Sequence, residues 1–369
     1  MPIYMDRHDV SENVTAEIVA QIHQEDLIVQ HKFGCRGLTY WFDDIRKTAF
    51  CLVEAPDKEA IIKMHNLAHG EVPHQIIEVD ASIVESFLGR IEDPEKALNT
   101  NLNIINDPAF RTIMVVAIEN QSFKNHEPFS YAEKVQHVYK QMVAIFKSFE
   151  GNVVQKKNNG FLISFQSVTK AVLCALKIQE NYKIFKNQYK INFSELSIGL
   201  HAGVPVTEKK SIFEDTIKLA ERMHIISRAE IVISTEVQHL YESENLGSIV
   251  NRNQIHVLTS SEEKFITDFM EFTETEWQDT ELKVDDFEKN IGMSKSKLYR
   301  RMIQLTGKSP NTFLLHFRLG KSLQQLQKQK GNISEIAFDS GFNSSSYFAK
   351  CFRKKYGIMP SVLNASNNS

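Results

Sequence analysis

The chain has 369 residues, room for two or three folded units at about 100–200 residues each. Hydrophobic residues make up 42% and charged residues 24%, which excludes disorder as the main state, and no apolar run reaches the roughly 20 residues that cross a bilayer. The net charge of −3 conceals fifteen Lys/Arg against six Asp/Glu in residues 281–361, so a mildly acidic body carries a basic carboxyl-terminal block.

A block of that kind suits a polyanion-binding module or a solvated helical surface. Cys35, Cys51, Cys174 and Cys351 lack paired spacing, which argues against a disulfide scaffold and suits a reducing, cytoplasmic setting. The opening residues show no basic region followed by an apolar core, so a secretory signal is not expected.

The patterning predicts a strand at 2–8, a helix at 14–31, strands near 37–44 and 48–54, a helix at 57–69 and a strand at 75–80. Pro56-Asp57 supplies the start chemistry of the second helix and Gly70 its stop. This is the ferredoxin-like order, assigned to residues 1–80. The segment holds six of the chain's thirteen histidines. His65 and His69, four apart, share one helix face, the spacing that lets two imidazoles meet one cation. His8, His23, and Cys51 or Glu54 would converge there. The plain alternative is solvated histidines, as for His31 and His74, and a buried core cysteine.

Residues 81–110 read as a helix and connector. A second α+β unit, 111–237, opens on an apolar strand at 112–118, followed by a helix at 130–149. Asn159-Gly160 turns a hairpin of 152–155 and 161–165. Helix 167–186, strand 194–203, helix 213–227 and strand 230–234 complete it. Residues 238–280 are mixed and acidic and read as a linker with a poorly defined helix.

The tail, 281–361, is helical throughout and carries a repeat: Ser294, Leu298, Met302, Gly307 and Pro310 recur as Ser344, Phe348, Phe352, Gly357 and Pro360. Each copy is a short helix, a glycine turn and a second helix, spanning 295–306 and 345–355. A long helix, 311–329, would fix their separation, suiting two major-groove faces about 34 Å apart. Leu298 and Met302 would pack inward, leaving Lys297, Arg300 and Arg301 to project; Ser345, Ser346, Tyr347 and Lys350 face outward in the second copy. Residues 362–369 are expected to be disordered.

Three resemblances add to this reading. The tail resembles the DNA-binding domain of the AraC/XylS family, through Ser294-x-x-x-Leu298-x-Arg300, Gly307-x-Ser309-Pro310, Ile336-Ala337-x-x-x-Gly341-Phe342 and Tyr347-Phe348-x-x-x-Phe352-Arg353-Lys354-x-Tyr356-Gly357-x-x-Pro360. The resemblance implies base contacts from Ser296, Tyr299 and Arg300, then from Ser345, Ser346, Tyr347 and Lys350. Lys297, Arg301, Arg353 and Lys354 would hold phosphates of double-stranded DNA.

Residues 111–237 resemble a class III nucleotide cyclase domain, through Gly160-Phe161-Leu162-x-x-Phe165, Ser197-Ile198-Gly199-Leu200-His201-Ala202-Gly203 and Phe213-x-Asp215-Thr216-x-x-x-Ala220-x-Arg222. Cyclisation in that family needs two divalent cations on two carboxylates. The aligned positions read Ala117 and Asn159, and Glu119 is two residues further along the strand. Lys218 stands where the family's ribose-orienting asparagine would be. The domain is therefore expected to lack turnover, and to dimerise or bind a ligand. Arg222 is either a surviving phosphate contact or an ordinary salt bridge.

Residues 1–80 resemble small nickel-binding ferredoxin-like domains, through Met1-Pro2-x-Tyr4-Met5-Asp6-Arg7-His8, His23-x-x-Asp26, Phe50-Cys51-Leu52-x-Glu54-Ala55-Pro56 and His65-x-x-x-His69-Gly70. Nickel is implied by the resemblance; the ligand types also suit zinc or copper. The expectation is a homodimeric DNA-binding regulator controlled by a ligand or metal, with no membrane partner. The alternatives are an active cyclase with a regulatory DNA-binding domain, and a metal-buffering protein that binds DNA nonspecifically.

Overall fold

A computed structural model describes residues 1–95, 101–120, 128–157, 159–189, 194–226, 230–246, 250–328 and 331–365. The head is built from β1 (Ile3–Asp9), α1 (Ala16–Val29), β2 (Arg36–Asp43), β3 (Thr48–Glu54), α2 (Lys58–Ala68) and β4 (Gln75–Val79), followed by α3 (Ala81–Leu88). Its sheet order is β2-β3-β1-β4, with every neighbouring pair antiparallel. The Asp57 carboxylate caps α2 by accepting the Ala60 N–H at 2.8 Å, and Gly70, at φ +82°, turns the chain out of it. Both are the local chemistry read from the sequence.

Strand alternation splits the head's core in two. Tyr4, Tyr40, Phe42, Cys51 and Val53 face α1 and α2, burying Val19, Ala20, Ile61 and Met64. Met5, Trp41, Phe50, Leu52 and Ile77 face away from those helices and join the middle unit.

The middle unit contains β5 (Arg111–Asn120), α4 (Pro128–Ser148), β6 (Asn152–Lys157), β7 (Gly160–Phe165), α5 (Val168–Tyr189), β8 (Ser194–Gly203), α6 (Glu214–Ile226), β9 (Ile231–Ile233), α7 (Thr235–Glu244) and β10 (His256–Val257). Its sheet runs β10-β9-β8-β5-β7-β6. One face, with Met114, Val116 and Ile163, packs on α4 and α5. The other, with Ile113, Val115 and Leu162, is buried with Trp41 and Phe50 of the head, Phe87 of α3, and Phe213. That second face is thus covered within the chain.

The expected linker at 238–280 is a structured segment instead. It holds most of α7, then β10, then α8 (Ser260–Glu276), whose amino end is a capping box: Thr259 accepts from the Glu262 N–H while Glu262 accepts from the Thr259 N–H. Its mixed composition misled the reading, because Phe265, Ile266, Phe269 and Met270 recur at helical spacing among the acidic residues and are all buried.

The tail follows as α9 (Val284–Ile291), α10 (Lys295–Thr306), α11 (Pro310–Gln327), α12 (Ile333–Asp339), α13 (Ser345–Tyr356) and α14 (Pro360–Ala365). Residues 362–365, expected to be disordered, lie in α14, while 366–369 are outside the described residues. The tail has two cores. Leu298 and Met302 join Phe265, Phe269, Phe287 and Phe313, whereas Phe348 and Phe352 join Leu319, Leu326 and Ile336. Fully burying such side chains is worth about 1.5–3 kcal/mol each. Among the described residues no helix is long and apolar enough to cross a membrane.

Candidate functional site

In the head, β1 and α2 bring buried acids and histidines together. Asp6 and His8, two apart on β1, point to the helix-covered face, and Asp6 is in register with Cys51 on β3. The donor atoms of Asp6, His8 and Cys51 lie within 4.8 Å of one another, and so do those of Asp26, His65 and His69. His65 joins the two triads. Its Nδ1 lies 3.0 Å from Asp26 and its Nε2 3.0 Å from Asp6. His69 Nε2 sits 3.2 Å from Asp26 Oδ1.

Two carboxylates on two ring nitrogens require both nitrogens to donate, which makes His65 an imidazolium. Burial opposes that charge, but the hydrogen bonds to Asp26 and Asp6 outweigh it and lift the His65 pKa to about 10. Burial alone would likewise raise the Asp6 and Asp26 carboxyls, yet the histidine hydrogen bonds hold both below their ordinary values. Burial pushes the Cys51 thiol well up.

The donor set fits a transition metal. His8 Nε2 is buried, 3.4 Å from Asp6 Oδ1, and makes no hydrogen bond. This ring nitrogen sits beside a carboxylate and a thiol, and these donor types suit nickel, zinc and copper.

Of the six expected ligands, His8, Cys51, His65 and His69 are brought together and two are not. His23 is turned to Asp93, 3.3 Å away, and packs on the Tyr40 ring. Glu54 is three residues from Cys51 on an extended strand, so it faces the opposite side, where it pairs with Arg36 at 2.8 Å and the terminal amine at 3.4 Å. Sequence reasoning missed Asp6 and Asp26 as ligands. Their signal was spacing: Asp6 shares a strand face with His8, and Asp26 lies one helical turn beyond His23. His31 and His74 are exposed.

In the tail, Gly292 at φ +65° makes the α9–α10 turn, as expected of a residue that tolerates the left-handed region. Ser344 caps α13 by accepting the Tyr347 N–H at 3.3 Å; Ser294 holds the matching position on α10 without a side-chain bond. On α10, Ser296, Lys297 and Arg300 are exposed. Tyr299 is half-buried against the apolar cluster. Arg301, expected to hold phosphate, donates to Ser261 Oγ at 2.6 Å and lies over the Phe265 ring, so α8 holds it. On α13, Ser346, Tyr347, Lys350, Arg353 and Lys354 are exposed and Ser345 is half-buried.

In the middle unit, Ala117 is in register with Gly160, and the Ile118 N–H donates to the Asn159 carbonyl at 2.8 Å. The two positions expected to carry metal carboxylates are therefore neighbours, one a buried methyl and one an exposed amide. Lys218 pairs with Glu214 at 2.6 Å. Arg222 is not turned toward them; it is buried in an ion pair with Glu274 of α8 at 2.7 Å.

Residues 4–79 match the family described as nickel responsive protein SCO4226-like, and residues 288–366 match the family described as helix-turn-helix domain. The carboxyl-terminal unit is thus similar to a helix-turn-helix domain. A histidine kinase P4 of Formosa agariphila is 32% identical over 104 residues, covering 28% of this chain and 8% of that protein. The HTH-type transcriptional activator RhaS of Mannheimia succiniciproducens is 34% identical over 83 residues, covering 22% of this chain and 31% of that protein. The chain thus spans less than a third of either relative. The solved structure of SCO4226 from Streptomyces coelicolor A3(2) is 32% identical, covering 21% of this chain and 94% of that one, with a TM-score of 0.20.

Proposed function

We propose that this chain is a cytoplasmic, sequence-specific DNA-binding transcription regulator whose head takes up a transition metal. The observation that carries the DNA reading is the pair of second helices, α10 and α13, each seated on its own apolar core with its cationic face exposed. Ser296, Arg300, Ser346, Tyr347 and Lys350 would meet base edges, and Lys297, Arg353 and Lys354 phosphates. AraC-type membership of this tail fits the helix-turn-helix match. The test is selection of bound duplexes from a random pool, with and without nickel, zinc and copper. An enriched motif that shuffled competitor cannot displace supports the reading; equal displacement by shuffled DNA overturns it.

Arg300→Ala is expected to cost about 1–3 kcal/mol of discrimination at one base position. Lys354→Ala should weaken all sequences alike and reduce the salt slope, since a phosphate contact carries no sequence information. Binding titrations of matched and mismatched duplexes at two salt concentrations separate the two.

In the head, Asp6, His8, Cys51, Asp26, His65 and His69 are the residues we propose to hold the metal. When bound, the ion would supply the positive charge that His65 supplies without it. Because His65 is protonated up to a pKa of about 10, coordination through either of its nitrogens must release a proton. Metal affinity should therefore rise with pH through the neutral range, and calorimetric titrations in buffers of different ionisation enthalpy should show protons released. Affinity that is flat in pH would remove His65 from the ligand set.

The sheet orders support a ferredoxin-like head and a cyclase-like middle. We infer that the middle does not cyclise nucleotides, because Ala117 and Asn159 offer no anionic ligand for a divalent cation. Incubation with nucleoside triphosphate and Mg²⁺ or Mn²⁺ should yield no cyclic product. A homodimer would have to form through surfaces other than the covered sheet face. The four cysteines are all free, which supports the cytoplasmic setting.

A further inference from the structure

We propose that Arg222 is a positioning residue for DNA reading: it sets the first reading helix, α10, from the middle unit, acting through α8. The proposal rests on the DNA-binding reading above. Its basis is a difference between the two halves of the tail. Met223 and Ile226 of α6 and Val232 of β9 share one buried cluster with Phe265, Ile266, Phe269 and Met270 of α8 and with Leu298, Met302 and Leu305 of α10. Among the described residues, the core under α13 contains none from the middle unit.

Polar bonds join the middle unit to α8 at both ends: Glu263, near the amino end, accepts from the Thr235 N–H at 2.6 Å and from its hydroxyl at 3.0 Å, and the carboxyl half is held by Arg222. The Arg222 Nη2 lies 2.7 Å and its Nε 3.5 Å from the two oxygens of Glu274, and its Nη1 lies 3.5 Å from Glu271. A planar guanidinium gripping a carboxylate through two nitrogens fixes orientation as well as distance. The guanidinium is buried while Glu274 is partly exposed, so the bridge forms at the rim of the apolar contact, where a rotation of α8 would break it. About two and a half to three and a half turns toward its amino end from Glu274, α8 then grips α10: Arg301 donates to Ser261 and stacks on Phe265. The chain of contacts from α6 to α10 is continuous and passes through α8.

The second half is fastened differently. Arg318 of α11 donates to the carbonyls of Trp277 at 2.7 Å and Asp279 at 2.5 Å, and Gln278 donates to the Asp339 carbonyl at 2.7 Å. Those bonds tie α11 and α12 to the segment after α8 and touch nothing in the middle unit. Because α10 shares its core with α8 and α13 does not, loosening Arg222 should disturb α10 and leave the core under α13 as it is.

The test uses the full-length chain and the duplex enriched from the random pool, with single-base changes under each half. Arg222→Gln is expected to weaken binding about tenfold, the size of a typical coupling through packed elements. The loss of discrimination should fall on the positions that Arg300→Ala also affects, and positions read by α13 should be discriminated as before. Glu274→Gln removes the same charge pair from its exposed side and should give the same pattern, with Arg222 keeping its contact to Glu271 at 3.5 Å. The charge exchange Arg222→Glu with Glu274→Arg should restore discrimination. A merely structural role would lower the active fraction and leave base preference unchanged.

Wild-type affinity in both single variants, or a loss spread evenly over both halves, overturns the proposal. A wild-type chain that enriches no duplex at all would instead overturn the DNA-binding reading on which it rests.

Discussion

His65→Ala should destabilise the metal-free head by about 3–5 kcal/mol, the cost of removing the shared member of a buried charge network. Asp6 is 1% exposed and Asp26 3%, and both turn an oxygen to the same imidazolium at 3.0 Å. Without it, Asp26 keeps His69, Asp6 keeps His8 and the Cys51 N–H, and the two buried carboxylates lose the cation between them. Urea unfolding followed through the fluorescence of buried Trp41, in a Trp277→Phe background, checks the value. His31→Ala, at an exposed position, should stay within about 0.5 kcal/mol of wild type. The pH dependence follows from the raised pKa. The stabilisation from His65 is fully present below its unfolded value near 6.5 and is lost as pH rises through about 10. A His65→Ala chain as stable as wild type at neutral pH would remove the network from the account of the head.

Gly341→Ala is the second large effect. This glycine opens the turn between α12 and α13 at φ +73°, where a side chain costs about 1–3 kcal/mol of backbone strain. The added β-carbon would also lie 2.6 Å from the Trp277 carbonyl oxygen and 2.8 Å from Arg318 Nε. The carbonyl is backbone and cannot swing aside, and the Arg318 bond to it is one of those that seat the second half. The turn must shift, and α13 with it. Specific DNA binding should fall more than about tenfold, with discrimination lost on the α13 side. Gly320→Ala makes the contrast. Its β-carbon meets nothing within 4 Å, and the position is inside α11, so the change should be neutral or stabilise by up to about 1 kcal/mol. Equal binding by both variants would contradict the geometry assigned to the turn.

Much of the tail was legible because its signals are local. Turn glycines, the Ser344 cap and the inward spacing of Leu298, Met302, Phe348 and Phe352 are fixed within a dozen residues of chain. Helix α8 was hidden because its apolar positions are diluted by acidic neighbours, and only its burial against α6, α9 and α10 displays them as one face. Arg301 shows the limit of reading a helix alone. By spacing it projects with Lys297 and Arg300, but α8 covers that side of α10 and takes it up. Glu54 shows a different limit, since a residue can be near in sequence and still face the wrong side of a strand.

The sequence by itself determined the order of strands and helices outside 238–280, the basic carboxyl-terminal block, the histidine spacing on α2 and the absence of carboxylates at Ala117 and Asn159, all of them properties of composition or short-range period. Only the tertiary structure decided which acids meet His65, which face of the middle sheet is covered, and that Arg222 is bound by Glu274. Those pairings join residues 39, 59 and 52 positions apart for Asp26–His65, Asp6–His65 and Arg222–Glu274. No local pattern encodes them, because each arises from two elements packing on a third, and the burial that makes the charges matter exists only once the chain has closed around them.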